Sequence, residues 1–284
     1  MASNCNLCPR KCGVPRPCGF CGAGDRLRIS HYMKHMWEEP FISGERGSGA
    51  VFFSGCNLGC VFCQNHEISS KCAGDELTPD ELKDIFKKLI SEGVHNINLV
   101  TPTHFVHQLI PALTPHPEVP VVYNCSGYEG DLTPLDGLCD IYLADLKYGN
   151  SETAQRYSSA PDYPEVCLNA LEQMYNQVGD YEEKDGIMTK GVVVRHLVLP
   201  SNIENSLDAI DLFKKFSKGK KVKFSLMCQY VPHGRAAEFP EINRKITDEE
   251  YERVINYTLR RGITDCLIQD MESASTSFIP EFGS

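Results

Sequence analysis

The 284-residue sequence lacks any apolar run approaching the ~18 residues of a membrane-spanning helix, so no membrane segment is expected. Its first residues contain neither a basic stretch nor an apolar core, so no secretory signal is predicted and a cytoplasmic location is expected. The chain also lacks a surplus of positive charge, because 38 acidic residues against 28 basic ones give a net charge of −10. Such an acidic protein gains little from the attraction of phosphate groups, which disfavours generic nucleic-acid binding.

The sequence also lacks a dinucleotide-binding glycine fingerprint and internal repeats, apart from an alternation of short apolar runs with helical stretches. The apolar runs predict strands at residues 50–53, 96–100, 119–123, 140–144, 191–198, 222–227 and 266–268. Helices are predicted within residues 78–93, 104–113, 151–158, 164–178, 204–217 and 247–261. Such alternation is typical of parallel βαβ units, and it favours an α/β barrel or partial barrel with its chemistry at the carboxyl ends of the strands.

The 14 cysteines are the most informative residues, because nine of them lie within the first 72 positions. In a long chain without a secretory signal, thiols are expected to stay reduced, and clustered thiols then indicate metal binding. The alternation of apolar runs and helical stretches begins at about residue 49, which divides the chain into a cysteine-rich extension, residues 1–48, and a predicted barrel, residues 49–284.

Three cysteines follow the first predicted barrel strand, at Cys56, Cys60 and Cys63. Thiolates this close in sequence can hold one small cluster from a single loop. Clusters with four cysteine ligands are closed, whereas three ligands leave one iron open to a substrate. A structural zinc loop is the alternative, but such loops usually contain two Cys-x2-Cys pairs.

The context of this triad, Gly55-Cys-Asn-Leu-x-Cys-x-Phe-Cys-x-Asn65, resembles the signature of the radical S-adenosylmethionine (radical SAM) superfamily. More narrowly, it resembles the pyruvate formate-lyase activating enzymes and their paralogues, over roughly residues 49–270. The resemblance implies a partial (βα)6 TIM-type barrel and a 4Fe-4S cluster on the triad. The reduced cluster would cleave SAM to methionine and a 5′-deoxyadenosyl radical, which abstracts hydrogen. Phe62 would lie near the adenine, and Asn65 of the same motif is also assigned to the cofactor site.

Residues at other predicted strand ends match the same family in position. Thr101 and Thr103 stand where the relatives carry a Gly-Gly-Glu motif that holds the methionine amino group, and their hydroxyls could replace it. Asp145 and Lys147 resemble an Asp-x-Lys pair that the activating enzymes use at the SAM site. A plain ion pair at the rim of the barrel is the alternative for this pair.

Two further polar residues complete the predicted cofactor site. Arg195 resembles an arginine on the fifth strand of the family, and within a run of valines it needs an acidic partner or a ligand. Its neighbour His196 faces the opposite side of the strand, and parity does not decide which of the two faces inward. Asn124 ends the third strand and is either a ligand contact or a turn-former. The sequence identifies no catalytic residue.

Residues 1–25, here called the cysteine head, contain five cysteines and too few apolar side chains to fold without a metal or a partner surface. Cys5 and Cys8 with Cys18 and Cys21 would pair as in a zinc knuckle. Cys5, Cys8, Cys12 and Cys21 would instead fit an iron–sulfur cluster, and this set resembles more closely the paralogues that carry an extra N-terminal cysteine block. The spacing does not choose between zinc and iron, and a metal-free head is the remaining alternative.

The sequence thus predicts a radical SAM enzyme related to the activation of glycyl-radical enzymes. One alternative keeps the cofactor chemistry but acts on a small molecule or another peptide, and a second is a non-enzymatic metal-binding module. The resemblance further implies sensitivity to oxygen and an external electron donor such as flavodoxin or ferredoxin. A glycyl-radical enzyme or another protein is the expected kind of substrate.

Overall fold

Most of the strands form where apolar residues cluster or alternate, and ten strands join into one sheet. In this computed structural model residues 4–271 are described, so residues 1–3 and 272–284, at the outer ends of the two predicted domains, lie outside the described residues. The strands are β1 (Leu27–His35), β2 (Ser48–Phe53), β3 (Asp75–Leu77), β4 (Ile97–Val100), β5 (Val121–Cys125), β6 (Ile141–Asp145), β7 (Glu182–Lys184), β8 (Ile187–Leu197), β9 (Lys223–Met227) and β10 (Cys266–Ile268).

Helices cover the sheet between consecutive strands, as expected for βαβ units. They are α1 (Pro40–Ser43), α2 (His66–Lys71), α3 (Pro79–Ser91), α4 (Val106–Ala112), α5 (Ser151–Ser158), α6 (Tyr163–Val178), α7 (Ile203–Phe216) and α8 (Asp248–Arg260). Helix α3 begins as its sequence predicts, because Thr78 and Glu81 form a reciprocal capping box. Within the described residues, no helix is both long and apolar enough to cross a membrane.

The order of the strands confirms the predicted partial barrel. Seven strands are mutually parallel and lie in the order β10-β9-β8-β6-β5-β4-β2, and β1 and β3 extend the β2 side in antiparallel fashion. Within residues 4–271 the sheet does not close, because β3 and β10 form its two edges. The carboxyl ends of the parallel strands therefore meet around one partly open mouth.

The structure departs from the sequence-based strands at a few points. The third predicted strand, residues 119–123, is displaced to Val121–Cys125, because Pro120 has no amide hydrogen to donate to a neighbouring strand. Strand β1, for which nothing was predicted, pairs with β2 and places residues 27–35 in the same sheet as the barrel strands. The domain boundary at residue 48 stays a prediction.

Candidate active site

The loop after β2 brings the cysteine triad to the carboxyl end of the sheet. Strand β2 is buried along its whole length, and the chain turns at Gly55, whose φ is +86°. A Cβ atom on this residue would lie 2.5 Å from the carbonyl oxygen of Cys21, so only glycine fits. Cys56, Cys60 and Cys63 follow, and all three line one cavity of about 450 Å³.

The same cavity collects most of the residues that the sequence assigned to the cofactor site. Besides the cysteines, these are Phe62, Asn65, Thr101, Asn124, Asp145, Lys147 and Arg195. Thr103 is the exception, because its buried hydroxyl donates a hydrogen bond of 2.8 Å to Glu129 Oε1. Of the two threonines, only Thr101 borders the cavity.

Asp145 is the centre of a buried charged network. It pairs in register with Arg195 across β6 and β8, and its Oδ1 accepts a hydrogen bond of 2.8 Å from Arg195 Nε. Its Oδ2 accepts one of 2.6 Å from Lys147 Nζ. Burial alone would raise the pKa of Asp145, but the two adjacent cations hold it below its usual value. The Asp145–Lys147 pair therefore lies inside the cavity and not on an exposed rim.

Glu38 completes the neutralisation of Arg195, and sequence reasoning missed it. Arg195 Nη1 donates to Glu38 Oε2 over 3.1 Å, and Nη2 donates to Asn124 Oδ1 over 2.8 Å. The other oxygen of Glu38 accepts from the amides of Asn98 and Asn124, at 3.0 and 3.1 Å. The sequence signalled that Arg195 needs a carboxylate. It did not signal which one, because the two residues are 157 positions apart. His196 points away from the cavity, is fully buried, and lies within 2.9 Å of the Ser206 hydroxyl on α7.

The next residue, Glu39, adds an unsatisfied acceptor to the cavity wall. Its side chain is buried, and Oε2 has no hydrogen-bond partner, since Arg195 Nη1 is 3.8 Å away. Burial raises the pKa of Glu39 to about 7. Asn65 Oδ1 is likewise buried without a partner, and it also borders the cavity. Unpaired buried acceptors of this kind suit a ligand that brings N–H or O–H donors.

Each sulfur of the triad receives a hydrogen bond from a different group. The Ser158 hydroxyl donates to Cys60 over 3.1 Å, the Leu58 amide to Cys56 over 3.4 Å, and the Ser69 hydroxyl to Cys63 over 3.6 Å. Burial and the neighbouring thiol raise the pKa of Cys56 to about 12 and also raise that of Cys63. Without a cation these two thiols therefore keep their protons, and binding of a metal cluster would release them.

Phe62 forms an apolar wall on one side of the cavity. Its ring meets the rings of Tyr148, Tyr157 and Tyr230 edge to face, with centroids 6.4, 6.1 and 5.9 Å away. Such edge-to-face contacts fix the orientation of the ring. Phe62 is thus held in place beside the triad before any ligand binds.

The cysteine head lines a separate, much smaller cavity of about 10 Å³. Four of its cysteines, Cys5, Cys8, Cys12 and Cys21, line this cavity, whereas Cys18 is exposed and outside it. This grouping matches the predicted iron–sulfur set and not the zinc-knuckle set. In residues 4–271 no three His, Cys, Asp or Glu side chains converge closely enough to hold a single metal ion, so zinc binding in the head would require its thiols to move closer together.

A family model described as the Radical SAM superfamily matches residues 50–271, which is most of the chain and includes the whole triad loop. The chain belongs to the radical SAM superfamily. Membership implies a 4Fe-4S cluster and SAM, and it supports SAM-cleaving radical chemistry. The residues around the triad fit both groups, because three thiols, two cations and two unpaired acceptors face one cavity.

Two similar proteins extend this comparison. The uncharacterized protein MJ0674 of Methanocaldococcus jannaschii is 32% identical over 270 residues, which cover 89% of this chain and 73% of that protein. The crystal structure of methylornithine synthase (PylB) matches with a TM-score of 0.49 and 16% identity, over 75% of this chain and 60% of the other. The second similarity is too weak to support an inference about the substrate.

Glu129, in the loop between β5 and β6, is a further buried carboxyl group that sequence reasoning missed. It accepts hydrogen bonds from the hydroxyls of Thr103 and Tyr123, at 2.8 and 3.0 Å. Burial raises its pKa to about 7, although these two bonds act in the opposite direction. Glu129 thus holds Thr103 away from the cavity and remains protonated over a wider pH range than an exposed glutamate.

This raised pKa predicts a pH-dependent difference in stability between the wild type and Glu129→Gln. Between pH 4.5 and 7 the unfolded chain releases this proton while the folded chain retains it, so the free energy of unfolding falls as pH rises. Relative to the variant, the wild type should lose roughly 3 kcal/mol across this range, at about 1.4 kcal/mol for each pKa unit. Urea denaturation of both proteins at several pH values measures the difference, and parallel curves would contradict the assignment.

Proposed function

We propose that this protein reductively cleaves SAM at the triad. The resulting 5′-deoxyadenosyl radical then abstracts a hydrogen atom from a glycine of a protein substrate of the glycyl-radical type. The observation that carries the proposal is the shared 450 Å³ cavity, in which the triad meets the Asp145, Lys147 and Arg195 network at the carboxyl ends of the strands. When bound, the cluster supplies the electron that cleaves SAM to methionine and a 5′-deoxyadenosyl radical.

The side chains around the triad have separable tasks in this proposal. Lys147, held by Asp145, supplies a positive charge for the methionine carboxylate. Phe62 supplies an apolar surface for the adenine. Asn65 offers an unpaired amide oxygen to a donor group of the cofactor. Arg195 bonds three protein side chains, so its task is to fix Asp145 and Glu38 in place.

A second cavity of about 350 Å³ supports a protein substrate over a small molecule. It shares part of its lining with the first cavity, namely Trp37, Glu38, Pro40, Gln229 and Gln269. Met36 and Trp37 at this side are 39% and 64% exposed, which is unusual for large apolar side chains. The two cavities together extend well beyond the volume around the triad, and the exposed side chains suit contact with a peptide segment.

We also propose that the cysteine head holds a second metal centre on Cys5, Cys8, Cys12 and Cys21. Arg10 and Arg16 line the same cavity, and the hydrogen bonds described for them go to carbonyl oxygens, so no carboxylate offsets their charge there. Four thiolates around an iron–sulfur cluster or a zinc ion carry net negative charge, which these guanidinium groups would balance. The small cavity suits a closed centre with no open position for a substrate.

The proposed chemistry needs one electron for each SAM molecule that is cleaved. We propose that an external one-electron carrier such as flavodoxin or ferredoxin supplies it. A cluster of reduced thiols also fits a cytoplasmic location better than an oxidising compartment.

The cofactor site is tested by variants of the triad and of Lys147. Serine at Cys56, Cys60 or Cys63 removes a cluster ligand and should abolish formation of 5′-deoxyadenosine.

Lys147→Met should keep the iron content but weaken SAM binding about ten- to a hundredfold, since a hydrogen bond to a charged group contributes roughly 1.5–3 kcal/mol. Lys87→Met, on the exposed face of α3, is the matched control and should bind SAM normally. If Lys147→Met bound SAM with unchanged affinity, the ion pair of Lys147 with Asp145 would have only a structural role.

The glycyl-radical proposal is tested by electron paramagnetic resonance. The reduced, SAM-loaded protein is incubated with a glycyl-radical enzyme encoded near its gene, and a SAM-dependent glycyl-radical signal is expected on that partner. A Cys60→Ser protein is the negative control. Cleavage of SAM that is stimulated by a small molecule, with no radical on any partner protein, would favour a small-molecule substrate instead.

The head centre is tested by metal content after anaerobic reconstitution. If the head holds a 4Fe-4S cluster, the wild type should contain about eight irons and a variant lacking its four cavity cysteines about four. If it holds zinc, iron should stay near four with about one zinc in the wild type alone. Cys18→Ser should match the wild type, because that thiol lies outside the cavity. Equal metal content in all three proteins would exclude a second centre.

A further inference from the structure

Arg10 of the cysteine head reaches into the barrel and binds four backbone carbonyl groups. Its Nε and Nη2 donate to the carbonyls of Asn57 and Leu58, both at 2.8 Å. These two residues lie in the three-residue loop between the first two triad cysteines. Its Nη2 and Nη1 also donate to the carbonyls of Ser158 and Ser159, both at 2.6 Å, at the end of α5. One guanidinium therefore ties the triad loop to this helix end.

The helix end that Arg10 holds also supplies a hydrogen bond to the triad. The buried Ser158 hydroxyl donates to Cys60 Sγ over 3.1 Å, and it lies 2.6 Å from the Tyr148 hydroxyl. The direction of the Ser158 side chain depends on the backbone that Arg10 fixes through the Ser158 carbonyl. A displacement of Arg10 would therefore change the hydrogen bond that reaches Cys60.

The cysteine head in turn fixes Arg10. Arg10 lies between Cys8 and Cys12, two of the four thiols that line the head cavity, and its guanidinium lies 3.9 Å from the centroid of the Phe20 ring. The planar guanidinium offers five N–H donors in a fixed fork, which an ammonium group cannot reproduce. The contacts of Arg10 therefore require both its own geometry and an ordered head.

We propose that Arg10 is a positioning residue that couples the cysteine head to the reduction potential of the triad cluster, acting through the Ser158–Cys60 hydrogen bond. This inference rests on the proposed function, since it concerns the cluster that the triad binds. Hydrogen bonds to ligand sulfurs are one of the factors that set the potential of an iron–sulfur cluster. A donated hydrogen bond stabilises the reduced cluster, which carries one more negative charge, so loss of this bond makes the potential more negative.

A redox titration followed by electron paramagnetic resonance tests the coupling, with dithionite supplying the one electron that the cluster gains. Arg10→Lys keeps the charge but loses the fork, and Ser158→Ala removes the hydroxyl. Each should shift the midpoint potential of the SAM-binding cluster to a more negative value. The double variant should shift it no further than the larger single change, because both act on one hydrogen bond. Lys11→Gln, an exposed neighbour of Arg10, is the matched control and should titrate as the wild type does.

Two further measurements keep the outcome decisive. Phe20→Leu removes the ring beside the guanidinium at a half-exposed site, so it should fold and shift the potential in the same direction by less. Wild-type potential in both Arg10→Lys and Phe20→Leu, with a shift in Ser158→Ala, would overturn the coupling. Additive shifts in the double variant would also overturn it. If the wild-type cluster shows no change in its signal on addition of SAM, the proposed function fails, independently of Arg10.

Discussion

The fixed positive charge of Arg195 inside the barrel determines how the rest of the cavity is arranged. A buried guanidinium is stable only when carboxylates and hydrogen-bond acceptors surround it, and removal of such a partner leaves an uncompensated charge. Asp145 meets this requirement from the neighbouring strand, and Glu38 meets it from the segment between β1 and α1. Trp37 and Glu39 are the chain neighbours of Glu38. Because Glu38 is held beside Arg195, these two side chains also line the cavity.

The alternation of apolar runs and helical stretches was sufficient to predict the parallel strands and the partial barrel, because buried parallel strands are continuous apolar runs. The antiparallel strand β1 was not predictable in this way, since most of its residues are only partly buried and include Arg28 and Lys34. The triad was located from its spacing, whereas the strand-end residues were assigned from the family resemblance, and all of these except Thr103 border the same cavity. Glu38, Glu39 and Glu129 could not be assigned in either way, because they act through contacts that span loops or distant strands.

The two groups of cysteines differ in access although their chemistry is similar. The triad borders a large cavity with unpaired acceptors, whereas the head cysteines border a space of about 10 Å³ and two guanidinium groups. A site with open volume can admit a second molecule, and a closed one can only hold what its thiols already bind. The cavity at the triad therefore has room for a bound molecule, whereas the cavity at the head cysteines has almost none. The backbone around Gly55 connects them directly, since no side chain fits between it and the head.

The contacts of Arg10 also set an order of assembly. Its partners on the triad loop are synthesised within the first 58 residues, but Ser158 and Ser159 follow 148 and 149 positions after Arg10 itself. While the chain emerges from the ribosome, the head and the triad loop are therefore complete long before the helix end that anchors them exists. The thiols of both groups can be exposed during that interval, and the contact of Arg10 with the helix end forms only after more than half of the chain has been translated.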